Sequence, residues 1–342
     1  MKKIFLFIFI CLFAAGLSAQ DKETLKPIMA RNLTTEQDFY NAITIFSRTH
    51  DQNLMFASAA ALIDSVPPAK FENNILSVIL SPTADSIKVF FGAVILSSMD
   101  SGNKDLIDIV SSGLSSQDSI VKGYAAASLA LLGGLDKKNA DLIIGLYSFD
   151  KVFALKALNA LTGYKEKELV KLVKKAAKSK DSSVRKGAAQ MLGTFTGEDS
   201  TKALFAMLKT ESDSDIISDI AFSLSRRPDL AAPGIKKCLS TDSSKKIALG
   251  CSLTLGFMEA DGIDIIREGL KSSDENTRIN SLRAVSVKAK ALSEYKGKIA
   301  DMDLEKQNLK SLIPLIAAMK NDPSKKVSEI AEQTGRAFIN LL

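Results

Sequence analysis

KDSSVRKGAAQMLG, residues Lys180–Gly193, has a near-double sixty-three residues earlier in QDSIVKGYAAASLA, residues Gln117–Ala130. Both open on an Asp, place an apolar residue three positions later, a small one at seven and a Leu at eleven. The same frame recurs from Asp51, Ser86, Asp118, Asp150, Asp181, Asp213, Ser244 and Asp274, and once more from Ser324. Successive starts lie thirty to thirty-five residues apart, except for fifty between Asp274 and Ser324. A fixed period of this length marks an array of repeated supersecondary units.

Asp or Ser at each start suits an N-cap, because its side-chain oxygen accepts from the orphan N–H groups of the first helical turn. Offsets of three, seven and eleven share one helical face, and a small residue at seven admits a neighbouring helix. A second amphipathic run precedes each start, as in ELVKLVKKAAKSK before Asp181 and GIDIIREGLKSS before Asp274. The unit is therefore helix, turn, helix. One such pair cannot bury its apolar face alone, whereas a stack of pairs can, each touching only its neighbours. The expected fold is all-α: an α-solenoid of about nine helix-turn-helix repeats.

In its order of residues, apolar-x-x-apolar, Asp, apolar-Arg/Lys, small-small-x-x-Leu-Gly, the pattern resembles the HEAT repeat. Its short period is similar to the HEAT-like class first described in phycobilisome lyases. The resemblance covers about residues 36–342, with DSSVRKGAAQMLG and DSIVKGYAAASLALLG as its clearest copies. It implies a ladder between repeats built from the starting Asp and the basic residue four positions on. Asp181 with Arg185, Asp118 with Lys122 and Asp274 with Arg278 match, whereas Asp150 with Ala154 and Asp213 with Ile217 do not. It also implies one alternative to a binding role, a lyase-type enzyme acting on a chromophore-protein; a structural subunit of an envelope complex is a further alternative.

The ends read differently. Met1-Lys2-Lys3, an apolar run from Ile4 to Leu17, and Leu17-Ser18-Ala19 before Gln20 have the layout of a bacterial secretory signal peptide, with cleavage expected after Ala19. The run is too short to span a bilayer comfortably, and no longer one follows, so no transmembrane segment is expected after cleavage. A periplasmic or secreted protein is the expectation. Residues 20–35 form a polar leader or loose cap, with Thr35 as N-cap of the first repeat helix. Val66-Pro67-Pro68-Ala69, Arg227-Pro228 and Ala232-Pro233-Gly234 read as breaks. The long interval holds an insertion at about 290–308, read first as a surface excursion and, as an alternative, as an element shaping a binding surface.

The 342 residues carry 45 basic and 39 acidic side chains; loss of Lys2 and Lys3 leaves 43 against 39. So mild a surplus, in an exported chain, argues against nucleic acid as partner. Cys238 and Cys251 read as buried thiols, with one disulfide between them the alternative. His50, beside a cap, has no neighbouring ligand or base partner, and no phosphate, dinucleotide or nucleophile motif occurs. Neither catalytic residues nor a cofactor or metal is expected. The best local candidate is a basic face at Lys167, Lys171, Lys174, Lys175 and Lys178. It reads first as the wet side of an amphipathic helix; as a binding surface it would attract an acidic protein, an anionic polysaccharide or a lipid head group. The functional expectation is a non-catalytic protein–protein interaction scaffold of the bacterial cell envelope, its partner seated on a solenoid surface.

Overall fold

The computed structural model describes residues 19–82, 84–100, 102–294 and 302–339. The signal peptide expected at 1–19 lies outside them except for Ala19. Contacts divide the chain into two units, 1–169 and 170–342.

The first unit begins with α1 (Ala19–Met29), so residues 20–35, read as a leader, carry a helix. Four pairs follow: α2 (Glu36–Arg48) with α3 (Gln52–Ser65), α4 (Glu72–Ile79) with α5 (Ser86–Ser98), α6 (Leu106–Ser112) with α7 (Ser119–Leu131), and α8 (Ala140–Leu146) with α9 (Lys151–Thr162). Helix α10 (Glu166–Ala176) spans the boundary and opens the fifth pair with α11 (Ser182–Leu192). The second unit continues with α12 (Glu198–Thr210) and α13 (Ser214–Ser225), α14 (Pro228–Leu239) and α15 (Lys246–Phe257), and α16 (Ala260–Leu270) and α17 (Glu275–Glu294). Then come α18 (Met302–Lys310) and a last pair, α19 (Ile313–Ala318) with α20 (Lys325–Ile339). Each unit is an α-solenoid of stacked pairs. No helix among the described residues is long and apolar enough to cross a membrane.

The repeat frame explains these elements. Asp51, Asp118, Asp150, Asp181 and Asp213 occupy N-cap positions and accept from backbone N–H groups two or three residues on. Asp274 accepts from Thr277 N–H at 2.7 Å. Thr35 forms a reciprocal capping box with Asp38. Two starts need correction. Asp85, not Ser86, caps α5, because its longer carboxylate reaches Lys88 N–H at 2.8 Å. Lys245, without a side-chain cap, precedes α15, and Ser244 instead gives its own N–H to Asp242 at 2.9 Å. The position seven after each start is the most enclosed in the array: Ser58, Ala93, Ala125, Ala157, Ala188, Ile220, Cys251, Ser281 and Ala331 are all 0% exposed.

Breaks behave unequally. Val66 ends α3 with a left-handed φ of 49°, and Pro67-Pro68 follow. Pro228 stands at the start of α14, where its missing N–H costs no helical bond. Pro233, read as a break, lies inside that helix. It is the sixth residue of twelve, so it removes one N–H from the interior of the helix, and the turns on either side hold the helix together. The insertion consists of the end of the long α17, the residues 295–301 outside the described set, and α18.

One expectation about packing changes. Within the first unit α9 reaches past its neighbours to pack on α3, and Lys156 on α9 donates to Ser98 O at 2.6 Å, two pairs away. The row of second helices is packed through small residues, so it curls until the fourth meets the first.

Candidate functional site

Three polar assemblies stand out, and each begins at a repeat boundary. The simplest corrects the expected ladder. Arg185 does not pair with Asp181. Its Nη1 donates to Ser179 O and Lys180 O at 3.1 and 3.0 Å, while Nε and Nη2 grip Glu211 of the next repeat at 2.8 and 3.1 Å. Arg278 repeats the arrangement with Ser272 O, Ser273 O and Asp322. Glu211 and Asp322 each stand two residues before a start, where they accept backbone N–H groups of the turn. Burial alone would push the Glu211 carboxyl up; the Arg185 hydrogen bond and the N–H groups of Asp213 and Ser212 outweigh it and hold it below its ordinary value.

The second assembly lies in the first unit. Arg31, past the end of α1, holds a left-handed φ of 52°. Its guanidinium lies 3.4 Å from Asp64 at the end of α3, 3.9 Å from Asp150 at the cap of α9, and over the Phe149 ring. Tyr124 of α7 donates its hydroxyl to Asp150 at 2.8 Å, and Asp150 is 1% exposed. Burial first, and then the charge and hydrogen bond of Asp150, push Asp64 up to about 7, against the pull of Arg31. Burial and the Asp150 carboxylate also push the Tyr124 phenol well above its usual value. Edge-to-face and tilted ring contacts run Phe56–Phe91–Tyr124–Phe153 through the same place, joining α3, α5, α7 and α9. A carboxylate pair sharing a proton is a chemically capable motif. Here Asp150 and Tyr124 are buried and Arg31 covers them, so the cluster is a joint that fastens the N-terminal helix to the fourth repeat.

The third assembly is a groove in the second unit, with a volume of about 560 Å³. Ser218, Asp219 and Phe222 of α13 form one side, Gly256 and Phe257 of α15 the floor, and Lys288, Ala291 and Leu292 of α17 the other side. Glu305 of the insertion helix α18 and Glu259 complete it. Gly256 is required here: a Cβ would lie 2.6 Å from Val287 Cγ1, and its absence lets α17 approach α15. Lys288 and Glu305 form a buried ion pair at 2.7 Å, and the ammonium also donates to Met258 O at 2.5 Å. Phe222 is 56% exposed and meets Phe257 edge-on, with centroids 6.4 Å apart.

The basic face lies on α10 and the turn after it, with Lys167, Lys171 and Lys175 exposed on the helix and Lys178 exposed just past its end. Lys174 is half-buried and pairs with Asp199 at 3.1 Å. Lys174 and Lys178 line a second groove with Arg185 and Lys202, and Asp199 and Glu211 lie among them. Lys202 pairs with Glu198 at 2.9 Å, so the basic face is opposed by acids from α12 and the next turn. His50 sits in the turn before Asp51, and no group of three or more metal-ligating side chains occurs among the described residues. Cys238 and Cys251 form a disulfide between α14 and α15, correcting the reading as two thiols. Thirteen residues separate them, and antiparallel pairing of the two helices brings their Cα atoms to 6.3 Å.

Residues 139–225, from α8 through α13, match the family model for HEAT repeats. That stretch carries HEAT repeats. The HEAT assignment of this stretch agrees with its caps and with the enclosed residues at offset seven. No curated protein matches the chain. Among solved structures it is similar to a chain in a complex of Kap95p with RanGDP, at 15% identity and a TM-score of 0.36. That match covers 93% of this chain and 46% of the other, so the present chain spans less than half its length. It is also similar to an archaeal HEAT-like repeats protein from Thermococcus onnurineus NA1, at 13% identity and a TM-score of 0.28, covering 80% and 98% of the two chains. A third likeness is to human deoxyhypusine hydroxylase with glycerol, at 14% identity and a TM-score of 0.27, covering 89% and 97%. The HEAT assignment rests on the family match and on the repeat geometry, not on these low scores.

Several residues of these assemblies escape a reading by repeat alone. Arg31 lies in the stretch read as a leader, Asp64 at the wrong end of a helix to be a cap, and Glu305 in the insertion. A signal for the turn was available. Thr49, Ser116, Ser179, Glu211, Asp242, Ser272 and Asp322 all stand two residues before a start and accept its N–H.

Proposed function

We propose that this HEAT-repeat chain is an exported, non-catalytic protein-interaction scaffold of the bacterial cell envelope, and that its partner docks in the groove walled by α13, α15, α17 and α18. The observation that carries the reading is the groove itself: an apolar cleft with Phe222 left 56% exposed at its edge and a buried ion pair inside. Stacked helical repeats use such concavities to hold partner chains, and large exposed aromatics are common anchors of binding. Export is supported by the signal-peptide layout of residues 1–19 and by the Cys238–Cys251 disulfide, a bond that persists in oxidising compartments. Action by surface is supported by the enclosure of the Asp64–Asp150 pair behind Arg31 and Tyr124.

The test is affinity capture from envelope extract with the chain as it is secreted, read by mass spectrometry. One envelope protein is expected to be enriched, lost with Phe222→Asp and retained with Lys175→Glu on the opposite helix row. Capture that survives Phe222→Asp but not Lys175→Glu would move the interface to α10. Amino-terminal sequencing of the exported protein is expected to begin at Gln20.

A further inference from the structure

We propose that the groove receives a cationic side chain, a lysine or arginine, presented by an extended segment of the partner protein; this rests on the groove being the docking surface. The groove carries unspent negative charge. Lys288 is the basic residue of the lining; its ammonium donates to Met258 O at 2.5 Å and Glu259 O at 3.3 Å and is ion-paired with Glu305 Oε2 at 2.7 Å. Buried and already paired with a carboxylate, it does not present a free charge to an incoming anion. Three carboxylates line the same groove, Asp219, Glu259 and Glu305, and one ammonium offsets only one of them. Asp219 is held in place by Gln190, which donates to its Oδ2 at 3.0 Å.

The walls suit such a side chain as well as the charge does. Lysine and arginine carry an aliphatic stem that packs on apolar surface while the head stays polar. Phe222, Phe257, Ala291 and Leu292 offer that surface, and the aromatic faces add attraction for the cation. An acidic segment would meet like charge at Asp219 and Glu259 and leave both carboxylates desolvated without a partner.

The experiment uses the mature chain, isotopically labelled, and two acetylated, amidated octapeptides that differ only in a central arginine or glutamate. Amide shifts are followed by NMR titration. The arginine peptide is expected to shift the amides of Phe222, Phe257 and Leu292 and to bind at least about tenfold more tightly than the glutamate peptide. An Asp219→Asn, Glu259→Gln double variant should lose that preference. Both sites are outside the core and the disulfide, and an unchanged circular dichroism spectrum checks that the fold is intact. Equal binding of the two peptides, binding of neither, tighter binding of the glutamate peptide, or an unaltered preference in the double variant would overturn the assignment. If Phe222→Asp still abolishes capture of the envelope protein while the cation preference is absent, the docking reading stands and the charge assignment alone falls.

Discussion

The two units solve the same problem, a charge taken out of water, with different stoichiometry. In the first, Asp64 and Asp150 share one cation, Arg31, with a phenol alongside. In the second, each buried acid has its own base: Glu211 has Arg185, Asp322 has Arg278 and Glu305 has Lys288. Two acids against one base leave a surplus negative charge in a poor solvent for it, and Asp64 responds by keeping its proton up to about pH 7. One acid against one base leaves no surplus, and Glu211 gives its proton up more readily than a free carboxyl. The contributions of these two carboxyls to the pH dependence of stability therefore run in opposite directions.

The largest test of this contrast strikes the closed pair. Lys288→Met leaves Glu305 buried without its cation and should cost about 3–5 kcal/mol in urea unfolding. Adding Glu305→Met should restore most of the loss; a double variant as unstable as the single one would show that packing, not charge, holds α18 in place.

Next comes the covalent tie in the same unit. Replacing Cys238 and Cys251 together by Ala should lower stability by about 2–3 kcal/mol, since the short loop is no longer closed in the unfolded chain. Hydrogen exchange should place the loss in α14 and α15 and leave α3, α7 and α9 protected as before.

The third test inverts the sign. Asp64 binds its proton more tightly folded than unfolded, so its stabilising contribution is complete below the ordinary carboxyl value of 3.8 and is lost as pH rises to about 7. Asp64→Asn mimics the protonated side chain and should flatten that dependence. It should raise the stability of the first unit at pH 8 by about 1–2 kcal/mol, measured by exchange of its slowest amides. A variant that is less stable at pH 8 than the parent would mean that Arg31 needs both charges.

The smallest effect sharpens the other side. Glu211→Gln should cost about 1 kcal/mol at neutral pH, because a charge-assisted contact with Arg185 becomes a neutral one. Glu211 is stabilising above the ordinary carboxyl range and loses its contribution as pH falls through its lowered folded value. The difference between variant and parent should vanish there in acid-induced unfolding.

Much of the fold is legible in particular residues. Each cap that starts with Asp and each position seven beyond it can be named from the spacing alone, because both depend on local backbone geometry and on the one neighbour every repeat shares. Ser86 misled because a serine beside Asp85 is as good a start by type, and Ser244 because its side chain turns back to Asp242 and leaves α15 without a side-chain cap. Pro233 misled because a proline inside a helix removes one hydrogen bond without necessarily ending it, and here the turns on both sides persist. The sites were far less legible. Arg31 stands 119 residues before Asp150, and Glu305 comes from the insertion, the one segment outside the period.

The amino-acid sequence by itself determined that this protein is a row of two-helix units, where each unit begins, and which face is enclosed. These follow from the helical period and from capping, which act within a dozen residues. The tertiary structure alone decided that α9 folds back to α3, that Asp150 is both a cap and the anchor of Arg31, and that the insertion supplies the acid for Lys288. These charges meet only through packing between helices far apart in sequence, beyond the reach of capping and the helical period.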